Sequence, residues 1–249
     1  MKTWQKYAAE FYGTFVLVGV GMGAILGVNA LYFNLIQGLA FQDPTALLGS
    51  GTEARIVTVA LAFGIGLIMA LYTVGRISGG HFNPAVSLAM FLDRKISLTD
   101  MVGYWVSQVG GALLAALAYW WIIDKDAVAT AYTSLNTQYV DEFGGFVGEA
   151  ILTAVFVFAI LVLAKSESRT KYLGMGFALA GVHFVGIAFT GASVNPARSF
   201  APALIGGEWG AFWIYLAGPF LGAVLGWVLY KVIHEGDVNL ADDLKDVVS

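Results

Sequence analysis

The chain has 249 residues, of which 58% are hydrophobic and only 12% charged, and its mean hydropathy is +0.75. Such values exclude an ordinary soluble domain and point to an integral membrane protein. The net charge of −4 speaks against nucleic-acid binding, and the absence of cysteine removes disulfides, thiolate metal sites and a cysteine nucleophile.

In chain order, apolar stretches with few charges predict six spans, at 7–28, 56–74, 101–123, 143–164, 172–189 and 209–230. Each is near the roughly 20 residues that a bilayer-crossing helix needs. Lys2 and Lys6 precede the first span as in a secretion signal, but Glu10 interrupts the apolar run early and no cleavage-like site follows. It is therefore read as a retained span. The segment 31–49 is unusually apolar for a loop; it either lies in the membrane interface or covers a neighbouring subunit. The segment 235–249, with Asp237, Asp242, Asp243 and Asp246, reads as a solvated acidic tail.

An even number of spans puts both ends of the chain on one side. Lys2, Lys6, Arg76, Arg94, Lys95, Lys165, Arg169, Lys171, Lys231 and Lys245 fall on that side, against Arg55, Lys125 and Arg198 opposite. The positive-inside rule makes the terminal side cytoplasmic and the connection 124–142 external.

Between spans two and three, and again between five and six, stands Asn-Pro-Ala, as Asn83-Pro84-Ala85 and Asn195-Pro196-Ala197. Asparagine is a strong N-cap and proline is favoured in the first helical turn, so each motif should start a helix. The apolar runs that follow reach only Leu92 and Ile205. Such half-helices are tolerated at membrane depth only where they pack on protein or line a water-filled cavity, and a matched pair in two halves points to a pore or transport site. The halves, about 1–123 and 143–234, echo one another: Glu10 and Thr14 match Glu149 and Thr153, Tyr104 and Gly111 match Tyr215 and Gly222, and the two asparagines stand 112 residues apart. Three spans between corresponding elements invert the second half, so the half-helix N-termini should meet near the midplane. Glycines within the spans suggest close helix contact.

Ser78-Gly79-Gly80-His81-Phe82-Asn83-Pro84-Ala85-Val86, Ser193-Val194-Asn195-Pro196-Ala197-Arg198-Ser199 and the opening Ala9-Glu10-Phe11-Tyr12-Gly13-Thr14-Phe15 resemble the major intrinsic protein family, the aquaporins and glycerol facilitators. The resemblance covers every span. It implies an all-α channel of six transmembrane helices plus two re-entrant half-helices in an inverted repeat, forming a single domain and a homotetramer in the lipid bilayer. It further implies passive conduction of water, without catalysis, cofactor or metal, and the plasma membrane as its place.

The same resemblance assigns roles. Asn83 and Asn195 would accept capping bonds and leave their amide NH₂ groups to donate to passing water. Phe63, His183, Ala192 and Arg198 would form the outer selectivity filter. Glu10 and Glu149 would accept backbone N–H groups of the half-helix loops, and His81 would line the cytoplasmic vestibule. Purely structural readings remain beside these: caps for the asparagines, a loop-capping arginine, and interior acceptors for the carboxylates.

Water-selective members pair phenylalanine and histidine with the arginine, whereas glycerol facilitators usually carry glycine where this chain has His183 and aspartate where it has Ser199. Ala192, smaller than the usual threonine or cysteine, and Tyr215-Leu216 in place of Phe-Trp point the other way, toward a facilitator of glycerol or other small neutral solutes. An intramembrane enzyme using Glu10, Glu149, His81 and His183 lacks any metal-binding Glu-x-x-His spacing. A secondary transporter would require coupling ions.

Overall fold

The computed structural model describes residues 2–39, 52–168 and 170–234, with the backbone alone for 32–39 and 52–53. Its helices are α1 (Thr3–Leu39), α2 (Thr52–Ser78), α3 (Pro84–Leu92), α4 (Leu98–Ile122), α5 (Lys125–Ala129), α6 (Glu142–Ala164), α7 (Lys171–Thr190), α8 (Pro196–Gly206) and α9 (Phe212–His234), with no strand among the described residues. Six of them, α1, α2, α4, α6, α7 and α9, are long and apolar enough to cross a membrane. This is a multi-pass membrane protein with an all-α, six-helix inverted-repeat fold. The short α3 and α8 re-enter it from the two sides.

Side chains facing outward remain apolar, as lipid contact requires; Ile65, Met69, Val106, Ile151, Val155, Phe177, Val185 and Leu225 are all exposed. Trp120 and Trp121 at the end of α4, Phe143 at the start of α6, and Trp209 and Trp213 around the start of α9 provide the aromatic side chains typical of a bilayer interface.

The two halves meet where α2 crosses α7. A Cβ on Gly64 would lie 2.7 Å from the carbonyl oxygen of Gly176, and one on Gly176 would lie 2.6 Å from that of Gly64. These reciprocal contacts place the pseudo-twofold axis between them, where only glycine lets the backbones approach.

Several helices run a few residues past the expected spans, α2 by four at each end, and three departures bear on the fold. α1 does not stop at Val28 but continues to Leu39, so part of the apolar 31–49 segment is helix rather than loop. No proline occurs there before Pro44, and the apolar run gives the helix no reason to end. The remainder of that segment, like the acidic tail 235–249, lies outside the described residues. The last span starts at Phe212 rather than Trp209, because Gly207 (φ 81°) closes α8 in the left-handed region and Ala211 (φ 51°) turns the chain. Trp209 instead packs edge-on against Phe212 and Phe200. Inside 124–142 a short helix, α5, is capped by Asp124, whose carboxylate accepts the Ala127 N–H at 2.6 Å.

Candidate functional site: a passage between two vestibules

Each half-helix starts as its sequence dictates. Asn83 and Asn195 are extended N-caps whose side-chain oxygens accept the N–H groups of Ala85 (2.8 Å) and Ala197 (3.0 Å), with proline next in the first turn. The amides are not wholly free, however. Asn83 Nδ2 donates to the carbonyl of Val194 at 2.8 Å, and Asn195 Nδ2 donates to the carbonyl of Phe82 at 2.9 Å. Each asparagine thus spends one amide hydrogen tying its half to the other and keeps the second for the cavity both residues line.

The loops feeding these caps have unusual backbone. Phe82 (φ 51°) and Val194 (φ 54°), at matched places, are non-glycine residues in the left-handed region, an arrangement that persists only when the surroundings over-determine it. Buried carboxylates provide that restraint. Glu10 accepts the N–H of His81 (3.0 Å) and Phe82 (2.7 Å), the Ser78 hydroxyl (2.6 Å) and the Gln108 amide (2.7 Å). Glu149 accepts the N–H of Ser193 (2.8 Å) and Val194 (2.9 Å) and the Thr190 hydroxyl (2.7 Å). Both are completely buried, and each of these bonds runs from an N–H or O–H donor to a carboxylate oxygen, as burial of so polar a group requires.

Between the half-helices runs a narrow cavity of about 10 Å³, roughly the room of a single water, lined by Leu17, Phe63, Leu67, His81, Asn83, Phe156, Leu179, His183, Ser193, Asn195 and Arg198. Wider spaces adjoin it at both ends, of about 550 Å³ on the terminal side and about 580 Å³ on the other. His81 lines both the narrow part and the first of these; Arg198 lines the narrow part and the second. The three form one hourglass-shaped passage. Its wall is apolar on one side, through Leu17, Leu67, Phe156 and Leu179, and polar along the asparagines and loops.

Near the second mouth three of the four expected filter residues converge. The rings of Phe63 and His183 stack at 4.5 Å, and the Arg198 guanidinium sits 4.9 Å from the Phe63 centroid. Arg198 donates to the Thr133 hydroxyl and, at 3.5 Å, to the Gly191 carbonyl, which leaves its Nε without a protein partner. His183 Nδ1 lies 2.9 Å from the Leu179 carbonyl. A carbonyl only accepts, so Nδ1 carries the hydrogen and Nε2, buried and unpartnered, is the bare acceptor of the neutral ring. Ala192 behaves differently: it is wholly buried, its side chain against Gly186, and is not among the cavity-lining residues.

Sequence reasoning missed three polar residues that hold this wall, Thr133, Gln108 and Ser87. Thr133 bridges Arg198 and Ser199, and Ser199 in turn bonds Ser193 at 2.6 Å. Gln108 joins Glu10 to Ser87, at 2.7 and 2.9 Å. An uncharged polar residue inside an apolar span was the available signal for Gln108; Thr133 lies in a polar connection that offered none.

The Major intrinsic protein family matches residues 1–230. Among similar proteins, a probable aquaporin TIP3-2 of Arabidopsis thaliana is 35% identical over 93% of this chain and 84% of its own length. Aquaporin-4 of Mus musculus is 34% identical over 99% and 72%. Aquaporin Z of Rhodopseudomonas palustris is 31% identical over 97% and 98%. The solved structure of the aquaglyceroporin from Plasmodium falciparum superposes with a TM-score of 0.76, covering 93% of this chain and 97% of that one at 21% identity, a likeness of fold. With its paired Asn-Pro-Ala half-helices and a match along nearly its whole length, the chain belongs to the major intrinsic protein family of membrane channels.

Proposed function

We propose that this channel passively conducts water and excludes glycerol, ions and protons. The observation that carries this reading is the ring of Phe63, His183 and Arg198. It combines two stacked flat walls with one unpaired donor, Arg198 Nε–H, and one unpaired acceptor, His183 Nε2. A water molecule answers both at once, accepting from the arginine and donating to the histidine. A three-carbon chain gains the same contacts only by pressing its backbone against the edges of the two rings, which are in direct contact and leave no gap between them. In the middle, the remaining amide hydrogens of Asn83 and Asn195 face the same cavity, and a water there gives its oxygen to both. The N-termini of α3 and α8 each bring roughly half a positive charge to that point, which disfavours a cation or a hydronium.

In this reading residues 1–249 are one channel domain, with inverted repeats at about 1–123 and 143–234. Both ends of the chain face the cytoplasm of a plasma membrane, as the lysine and arginine bias supports. The assembly is a homotetramer with one passage per subunit. Facilitation of glycerol or other small neutral solutes is the second reading, favoured by the Ala192 side chain, which does not narrow the passage. Stopped-flow light scattering on proteoliposomes tests the first. Osmotic shrinkage is expected to be fast, with a low activation energy, because the wall replaces hydrogen bonds that water loses on entry. Vesicles no more permeable than protein-free ones would refute it.

A further inference from the structure

The two histidines of the passage meet different partners on their Nδ1 atoms. For His183 the partner is the Leu179 carbonyl, which fixes Nδ1–H and leaves Nε2 bare. His81 Nδ1 lies instead 3.1 Å from the Ser87 hydroxyl, which as a partner accepts either role. What decides that role is Gln108. Its Nε2 is 2.7 Å from a carboxylate oxygen of Glu10 and 2.9 Å from Ser87 Oγ. Glu10 also takes the His81 N–H, the Phe82 N–H and the Ser78 hydroxyl, so it meets its surroundings as an acceptor and the Gln108 atom facing it is nitrogen. An amide nitrogen has two hydrogens, and both are then committed, one to Glu10 and one to Ser87. Ser87 Oγ therefore accepts from Gln108, and the acceptor it meets for its own hydrogen is His81 Nδ1.

We infer that Gln108, acting through Ser87, is a positioning residue that holds His81 as the neutral Nε2–H tautomer, opposite to His183. All four members are buried: Glu10, Ser87 and Gln108 completely, His81 to within 5% exposure. Water cannot replace these bonds cheaply in such a place. The consequence deepens the proposed function, on which it rests: the passage offers a donor, His81 Nε2–H, at the terminal-side mouth and an acceptor, His183 Nε2, at the other. A file of water then meets groups of fixed and unlike polarity at its two ends.

The test is ¹⁵N-histidine solid-state NMR of the full chain in lipid bilayers at neutral pH. A His234→Ala background leaves only the two passage histidines, since the chain has three. The parent should show the two neutral tautomers in equal amounts, with His81→Asn and His183→Asn removing one each. Gln108→Leu should turn the His81 resonance from a single tautomer into a mixture and leave that of His183 in place. If that variant fails to fold, Ser87→Ala decides, because it removes the hydroxyl while sparing the bond between Gln108 and Glu10; Ser87→Thr should restore the parent signal. A protonated Nδ1 on His81 in the parent, or an unchanged His81 resonance in Ser87→Ala, would overturn the assignment. The readout is independent of flux, so a channel that fails to conduct water could still show both tautomers, and the reverse.

Discussion

The two half-helix cradles are built on one plan and finished differently. Glu10 matches Glu149, Ser78 matches Thr190, Phe82 matches Val194, and in both halves the side chain two residues before the asparagine bonds a serine in the half-helix: His81 to Ser87, Ser193 to Ser199. The second side-chain partner of that serine is Gln108 in the first half and Thr133 in the second. Around this common frame the first half has more hydrogen bonds, although Gln108 Oε1 is itself buried without a partner. Tyr104 donates to the Ser78 carbonyl at 2.6 Å and Trp105 to the Pro84 carbonyl at 3.0 Å, whereas Tyr215 has a buried, unpartnered hydroxyl and Leu216 has nothing to donate. In exchange the second half has Arg198 at the place of Val86. The first half thus holds its loop by extra hydrogen bonds, and the second carries the one cation of the narrow passage. Duplicated geometry provides the scaffold; in the proposed function, selectivity rests on the positions where the copies differ.

The deepest break in the comparison is to remove a carboxylate. Glu10→Ala and Glu149→Ala each strand buried N–H donors around a strained turn, at a cost of at least about 3 kcal/mol, since bonds to a charged acceptor are worth about 1.5–3 kcal/mol apiece. Thermal unfolding in detergent should fall for both, and further for Glu10, which holds four donors against three. A variant that melts with the parent contradicts the role given to its cradle.

Making the second half like the first tests the charge. Arg198→Val should raise proton leak roughly tenfold or more, as a unit charge at about 4 Å is worth about 4 kcal/mol at an effective dielectric of 20. Water flow should continue. A pH-sensitive dye inside proteoliposomes under an imposed pH gradient reads the leak, and an unchanged dye response would remove Arg198 from ion exclusion.

Volume comes next. His183→Gly with Phe63→Ala opens the stacked pair and leaves the arginine in place, so glycerol uptake should rise by several-fold more than water flux changes. Equal glycerol rates in parent and double variant would mean that the narrowest point lies elsewhere. The smallest effect should separate the two tyrosines. Tyr104→Phe leaves a buried carbonyl short of a partner and should cost about 1–3 kcal/mol, while Tyr215→Phe removes an unpaired hydroxyl and should be neutral or stabilising.

The half-helices were legible almost to the residue, because Asn-Pro marks a start that few other conformations tolerate and charges or glycines mark the stop. The six spans were legible for the same reason hydropathy usually works: backbone satisfied within the helix leaves only apolar composition to read. Ends depending on tertiary contact were not. Trp209 looked like membrane helix but serves an aromatic cluster with Phe200 and Phe212. Nor could composition reveal that the asparagine amides cross-link the halves, since the partners are carbonyls of Phe82 and Val194, and every residue has a carbonyl. Ala192 matched a family position by sequence, yet its side chain is turned into the helix packing.

One measurement bears most directly on water selectivity: light scattering from the same proteoliposomes, first against an impermeant osmolyte and then against glycerol. Shrinkage should be fast in both, followed under glycerol by re-swelling no faster than in protein-free vesicles. Re-swelling that the protein accelerates to a rate comparable with shrinkage would contradict that selectivity and make the chain a facilitator of glycerol.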